Sequence, residues 1–229
     1  MKLIARLSFV LLLLPCMQCQ ARVEDADFEG DAVSTEAASS TPVTWKLTGT
    51  AVPTNVSGVV LDADDMHVLG LPNSSTSAVW AVRSQERSDE PCFLRVGNED
   101  LNDRSSDTWD LKDHCGSKGP DGDLVEGQFP DISDGGGDDH IFVTELHVCM
   151  NSQGTKVKGL MAVGEQLRSD GTTGVWKTFE QERANCDYWS GRASCPPGMV
   201  ATAVNAYFNG KSEPKDLTGV TLTCRTLTY

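Results

Sequence analysis

Six cysteines, Cys92, Cys115, Cys149, Cys186, Cys195 and Cys224, follow a leader-like N-terminus, and they constrain this chain more than any other feature. An even number in an exported chain reads as a disulfide framework, and bridged Cα atoms must lie within about 7 Å of one another. Six cysteines allow about 15 connectivities. The last two are placed by their surroundings. Ser194-Cys195-Pro196-Pro197-Gly198 is a turn, because proline fixes φ and glycine accepts a reversal. Met199 to Phe208 then alternates apolar and polar residues, and Leu217 to Leu227 interleaves Leu and Val with Thr. Both read as strands, with Asn209-Gly210 as the turn signal between them. That hairpin brings Cys195 near Cys224. Nearest-neighbour pairing for the rest adds Cys92–Cys115 and Cys149–Cys186. No Cys-x-x-Cys pair occurs outside the leader, which disfavours cysteine-held zinc.

The leader itself is Met1 to Ala21: Lys2 and Arg6, the apolar run Leu7 to Leu14, then Cys19-Gln20-Ala21. The run is far shorter than the roughly 20 residues of a membrane span and has the three-part pattern of a secretory signal peptide. A lipid anchor at Cys16 or Cys19 is the alternative; Leu13 suits it, but Pro15 and Gln18 directly before the cysteines do not. The expected location is therefore secreted and extracellular, or periplasmic, with membrane contact only through such an anchor. Arg22 to Pro42, acidic and rich in Ser, Thr and Ala, buries too little to offset ordering and reads as a disordered linker. Residues 43–229 are expected to form a single β domain, built of degenerate repeats if the weak internal similarities are real.

Short apolar stretches separated by Gly, Pro, Asn and Asp fill that domain: Thr44–Leu47, Gly58–Leu61, Ala78–Arg83, Cys92–Val96, Ile141–Met150, Lys156–Val163 and Val175–Glu180 join the two strands above. The fold class is all-β, either prism-like or a sandwich of short antiparallel strands, stapled by disulfides. Asp107 to Phe129 reads as loop-rich, and Glu180 to Ala184 as at most one helical turn. Val56-Ser57-Gly58, Val157-Lys158-Gly159 and Leu217-Thr218-Gly219 open three similar segments.

Cys195-Pro196-x-Gly198-x-x-Ala201 followed by Leu217-Thr218-Gly219-Val220-x-Leu222-x-Cys224 resembles the repeat signature of the vitelline membrane outer layer protein I family. The resemblance implies a β-prism of three sheets with approximate threefold symmetry, acting outside the cell, with the carbohydrate contact that folds of this shape support. It covers about 30 of the 229 residues. The family's Gly-Asp-Asp-Thr is replaced here by Glu213-Pro214-Lys215-Asp216, and the resemblance carries over no catalytic residue.

The formal net charge of −14, from 33 acidic and 19 basic residues, repels phosphate backbones and argues against nucleic-acid partners. Among the acids, Asp131, Asp134, Asp138 and Asp139 flank three glycines, Gly135 to Gly137, a loop that could gather carboxylates on calcium. Calcium is the one cofactor suggested. A solvated acidic loop is the plainer reading, since no glutamate closes a helix-loop-helix spacing and the motif stands single. Asp62-Ala63-Asp64-Asp65 and Asp121-Gly122-Asp123 are weaker versions.

Aromatics crowd the last third. Asn185, Asp187, Tyr188, Trp189 and Arg192 combine ring faces with hydroxyl-binding groups, the pattern of a sugar site, whereas Trp176 and Tyr207 read equally well as core. No Gly-x-Ser-x-Gly or His-Glu-x-x-His occurs, and His147 reads as a partly exposed sheet residue. The expectation is a non-catalytic secreted module binding a glycan or glycoprotein surface, lectin-like or of matrix and coat type. An extracellular glycan hydrolase using an Asp/Glu pair is the alternative. Peptide mapping of the non-reduced exported protein is expected to return the three nearest-neighbour bridges and a chain starting after Ala21. Free thiols or lipid at Cys16 would discard the secreted reading.

Overall fold

The computed structural model describes residues 43–103, 107–121, 125–128, 140–174 and 177–229. They fall within one compact unit, Ser40–Tyr229. Among the described residues there is no helix, and every strand pairing is antiparallel. The all-β, disulfide-stapled class is thus the fold observed.

The strands form three sheets built on one plan. In the first, β13 (Met199–Asn209) and β14 (Asp216–Thr228) make a central hairpin. Strand β1 (Lys46–Pro53) and the short β2 (Ser57–Gly58) add to β14, and β3 (Met66–Gly70) adds to β13. In the second, the hairpin is β4 (Ser77–Arg87) with β5 (Glu90–Asp100); β6 (Thr108–Asp113) lies beside β5 and β7 (Val125–Gln128) beside β4. In the third, it is β8 (His140–Met150) with β9 (Val157–Leu167), flanked by β10 (Lys177–Glu182) on β9 and by β11 (Tyr188–Trp189) and β12 (Ala193–Ser194) on β8. The first sheet thus takes strands from both ends of the unit.

All three hairpins send their apolar faces into one cluster: Val82, Leu94 and Val96 from the second sheet, Leu146, Val148 and Leu160 from the third, Val204, Val220 and Leu222 from the first. Each sheet packs on the other two. Of the two expected architectures, three sheets round one core is the prism. A second cluster of Trp45, Leu47, Ala78, Leu101, Phe142, Leu167 and Val200 is formed by residues from all three sheets and the segments beside them.

The disulfides Cys92–Cys115, Cys149–Cys186 and Cys195–Cys224 follow nearest-neighbour order, each with one cysteine in a hairpin strand of a different sheet. Each ties a hairpin strand to a segment that flanks it. Some expectations need correction. Strands β6 and β7 occupy the stretch read as loop-rich, and β3 was not anticipated; all three are flanking strands, and the faces of β3 and β6 carry charged or outward apolar residues. Glu180 to Glu182 extend β10 instead of turning, and Gly58–Leu61 contracts to β2. The three similar glycine segments are not three equivalent strands. Gly58 pairs directly with Gly219, so close that a Cβ on Gly58 would sit 2.4 Å from the Thr218 carbonyl oxygen.

Charged contacts close the seams between sheets. Lys158 is buried, and its ammonium donates to Asp89 Oδ1 at 2.7 Å and the Asp89 carbonyl at 2.6 Å, with Glu86 at 3.5 Å. Arg183 holds the other oxygen of Glu86 at 2.6 Å, and Asn185 donates to Asp89 at 2.8 Å. This docks the β4–β5 turn on the third sheet. The turn residues Ser88 and Asp89 have φ of 50° and 69°, a left-handed conformation that side chains other than glycine rarely adopt. Removing one partner from a buried pair such as Lys158 and Glu86 typically costs about 3–5 kcal/mol.

A second junction takes one residue from each sheet or its approach: Glu90, Asp216 and Lys156. Lys156 is bonded to Glu90 and lies 3.6 Å from Asp216 Oδ1, and the two carboxyls hydrogen-bond to each other. Burial, then the Glu90 carboxylate, pushes Asp216 up to about 7, while the hydrogen bond from Asp216 and the Lys156 cation hold Glu90 below its ordinary range. The folded protein therefore keeps a proton that the unfolded aspartate releases near 3.8. Its contribution is full at acid pH and declines as pH rises from about 4 towards about 7. Asp216→Asn, a fixed mimic of the protonated form, is expected to match wild type in melting temperature below about pH 4 and exceed it by a few degrees at pH 8. An unchanged pH slope in the variant would discard the shared proton.

Candidate functional site

A cleft of about 480 Å³ is lined by Trp45, Glu165, Gly171, Thr173, Gly198, Leu227, Thr228 and Tyr229. Its wall is aromatic. Trp45 leads into β1 and is fixed by its polar atoms: the indole N–H donates to the Arg168 carbonyl at 3.0 Å, while Asn102 accepts from the Trp45 N–H at 2.7 Å and donates to its carbonyl at 3.0 Å. Against this buried indole stands Tyr229, edge to face at 5.3 Å and 74°, with 74% of its surface exposed. Gly171 supplies the room. It sits at φ +84°, and a Cβ there would press on the Tyr229 ring at 3.3 Å. The half-buried Glu165 of β9 and the exposed Thr173 also line the cleft. A rigid ring face next to a carboxylate and hydroxyls suits a small, ring-shaped, polyhydroxylated ligand.

The residues singled out in the sequence do not gather so tightly. Asn185 is engaged with Asp89. Tyr188 and Trp189 are consecutive in β11 and so project to opposite faces. Tyr188 is exposed, its hydroxyl lying over Gly154, where a Cβ would be only 2.5 Å away. Asp187 is tied through its N–H to the Met150 carbonyl, and Arg192 reaches Glu145 at 3.6 Å. Tyr207 is half-buried in β13, and Trp176 lies outside the described residues. A further aromatic group, Trp80 and Trp109 on the second sheet, is packed on itself: Arg95 stacks 3.7 Å over Trp109, with Trp80 edge-on at 5.4 Å.

Asp131, Asp134, Asp138 and Asp139 lie outside the described residues, as does Asp123. In the weaker acidic stretch, Asp62 accepts from the Asp64 N–H at 3.0 Å, while Asp65 turns to His67 and Lys215. Asp121 accepts from the Ser88 N–H and faces Arg87 at 3.5 Å. Two groupings could supply metal ligands among the described residues. One is Cys149, Cys186 and Glu182, but its sulfurs are bonded to each other and offer no thiolate. The other is Asp65, His67 and His114, between β3 and the end of β6.

For hydrolysis, Glu90 and Asp216 are the acid pair with divergent proton affinities. They touch each other and Lys156, without the gap of about 5 Å or more that a glycosidic bond needs between two carboxyls. His147 is buried, correcting the exposed reading, and bonds Glu145 at 2.6 Å. Burial works to raise Glu145, but His147 and Ser194 lower it below the carboxylate range. Ser194 donates to the other oxygen of Glu145 at 2.7 Å, so the carboxylate stands between hydroxyl and imidazole.

No protein-family model matches the chain, and no curated protein matches it by sequence. Among solved structures, the V. cholerae biofilm matrix protein Bap1 is similar at a TM-score of 0.31 and 13% identity, over 79% of this chain. The chain spans 27% of that protein's length, and a likeness this slight carries no argument here.

Proposed function

We propose that this protein is a secreted, non-catalytic carbohydrate-binding module whose site is the cleft between Trp45, Tyr229 and Glu165. The observation that carries the reading is the exposed Tyr229 ring, backed by a hydrogen-bonded tryptophan and lining one recess with a carboxylate. Sugars stack their C–H faces on such rings while carboxylates and threonine hydroxyls take the sugar hydroxyls. Three disulfides suit an oxidising compartment, and the acidic surface suits solubility there. The partner is thus an extracellular glycan or glycoprotein, in line with the resemblance to the vitelline membrane family. On a glycan array the protein is expected to select a defined set of oligosaccharides. Tyr229→Ala and Glu165→Gln should each lower affinity about tenfold or more, and Tyr188→Ala should leave it unchanged. Loss in Tyr188→Ala alone would move the site to β11, and no binding to any glycan would sink the proposal.

A matrix or coat role through self-association is a second reading, supported by exposed apolar side chains. Val60, Leu61, Met66, Val68 and Leu71 lie on or beside β3, an edge strand whose free side can pair with another copy. Light scattering is expected to show association that grows with concentration and is abolished by Val68→Lys. A monomer at all concentrations would remove this reading.

A further inference from the structure

Asp65, His67 and His114 meet where β3, an edge of the first sheet, passes the end of β6, an edge of the second. His67 lies within β3. His114 follows β6 and directly precedes Cys115, whose bridge to Cys92 holds that segment against β5. Both imidazoles pack on Phe208 of β13, with ring centroids 6.0 and 4.8 Å away. The backbone ties the parts together: the Phe208 N–H donates to the Asp65 carbonyl at 3.1 Å, and the Lys215 N–H to the His114 carbonyl at 3.1 Å.

Three potential donor atoms face one point. His67 Nε2 is 3.0 Å from Asp65 Oδ1 and 3.1 Å from His114 Nε2, and the remaining side of the triangle is 3.6 Å. Protons serve this triangle poorly. With His114 Nε2 bare, a single N–H on His67 Nε2 has to be shared between Asp65 and His114, and in every other tautomer one short side sets two lone pairs or two hydrogens against each other. A cation at the centre resolves the conflict for all three atoms at once. Two sides have suitable lengths and the third is about 0.2 Å longer: with metal–nitrogen bonds of about 2.0–2.1 Å, neighbouring ligand atoms stand about 3.0–3.4 Å apart.

The surroundings prepare each group for that role. His114 is 6% exposed, and burial favours its neutral form, the form that binds metal. Its Nδ1 is buried without a hydrogen-bond partner, 3.5 Å from Glu213 Oε1. A carboxylate on the far nitrogen of a ligating histidine fixes the tautomer that leaves Nε2 free. Burial works to raise Asp65, but the Lys215 ammonium, 2.7 Å from Oδ2, and His67 hold it ionised. Oδ1 is thereby left for the imidazoles. The half-exposed His67 keeps one side open to solvent.

We propose that Asp65, His67 and His114 form a site for a borderline-soft divalent metal, Zn2+ first, with one coordination position open to water or an exchangeable ligand. Two imidazoles and a carboxylate disfavour Ca2+ and Mg2+, which prefer oxygen alone. The site is independent of the sugar cleft, since it shares no residue with it.

Zn2+ added to the metal-free, disulfide-intact protein at a hundredfold excess over Kd is expected to raise the melting temperature by about 5 °C or more, reversibly with chelator. Co2+ should give the visible d–d bands of a site with nitrogen ligands. His67→Ala, at a partly exposed position where the fold survives, should weaken Zn2+ binding about a hundredfold and erase the Co2+ bands. Glu213→Gln, which touches only the far nitrogen of His114, should weaken it about tenfold. An unchanged melt with no Co2+ bands would overturn the proposal. So would wild-type affinity in His67→Ala, which would leave the acidic surface as the source of any zinc bound.

Discussion

A β-sheet with one apolar face has nowhere to put it alone, and in this chain three such faces meet. Each central hairpin contributes a stripe of Val, Leu and Ala, and no pair of sheets encloses the cluster without the third. Two of the disulfides act within sheets, and the third joins β14 to Cys195, which follows β12 and donates to the Thr144 carbonyl of β8; the rest of the contact between sheets lies in this shared core and in polar bonds at the seams. Those bonds satisfy groups that would otherwise be buried and unpaired. Asn98 donates to the Thr202 carbonyl at 3.0 Å between the second and first sheets. Ser57 accepts from the Val148 N–H at 2.9 Å and contacts Ser190 Oγ at 2.7 Å, linking the first sheet to the third. The charged junctions at Lys156 and Lys158 complete the set.

Sites on such a body arise at its edges. The hairpins are occupied with the core, so open recesses form where flanking strands and connections pass one another. The aromatic cleft combines the entry to β1, the β9–β10 connection and the end of β14. The histidine cluster lies where two edge strands cross. In both, one rigid residue is fixed from behind, Trp45 by Asn102 and Arg168 and His114 by its disulfide-held segment. A more exposed residue, Tyr229 or His67, faces it.

What could be read from the sequence follows the same division. The central strands announce themselves because half their side chains are buried: Met199 to Phe208 and Leu217 to Leu227 alternate clearly. Nearest-neighbour bridges follow because each sheet is built from consecutive chain, the first excepted. Edge strands give no such signal. In β3 the apolar Met66 and Val68 point outward while His67 turns in, and β6 is half aspartate and lysine. The sites were less legible still. Asn185 to Arg192 crowd together in sequence, but alternate side chains of a strand diverge in space. Trp45 and Tyr229 are joined by the pairing of β1 with β14, strands distant in sequence, and His67 and His114 by the closure of one sheet against another, neither of which a local pattern encodes.

Hairpin tips are ordinarily where a β-protein absorbs change, since they are exposed and few contacts reach them. The β4–β5 tip is placed differently. Its two left-handed residues curl Asp89 back over the buried Lys158, and Glu86 and Asn185 fix the rest. Two residues that look like an ordinary connector therefore answer to the interior of a neighbouring sheet. Among descendants of this chain, this turn would be among the last to vary, and new loops would have to be grafted elsewhere on the prism.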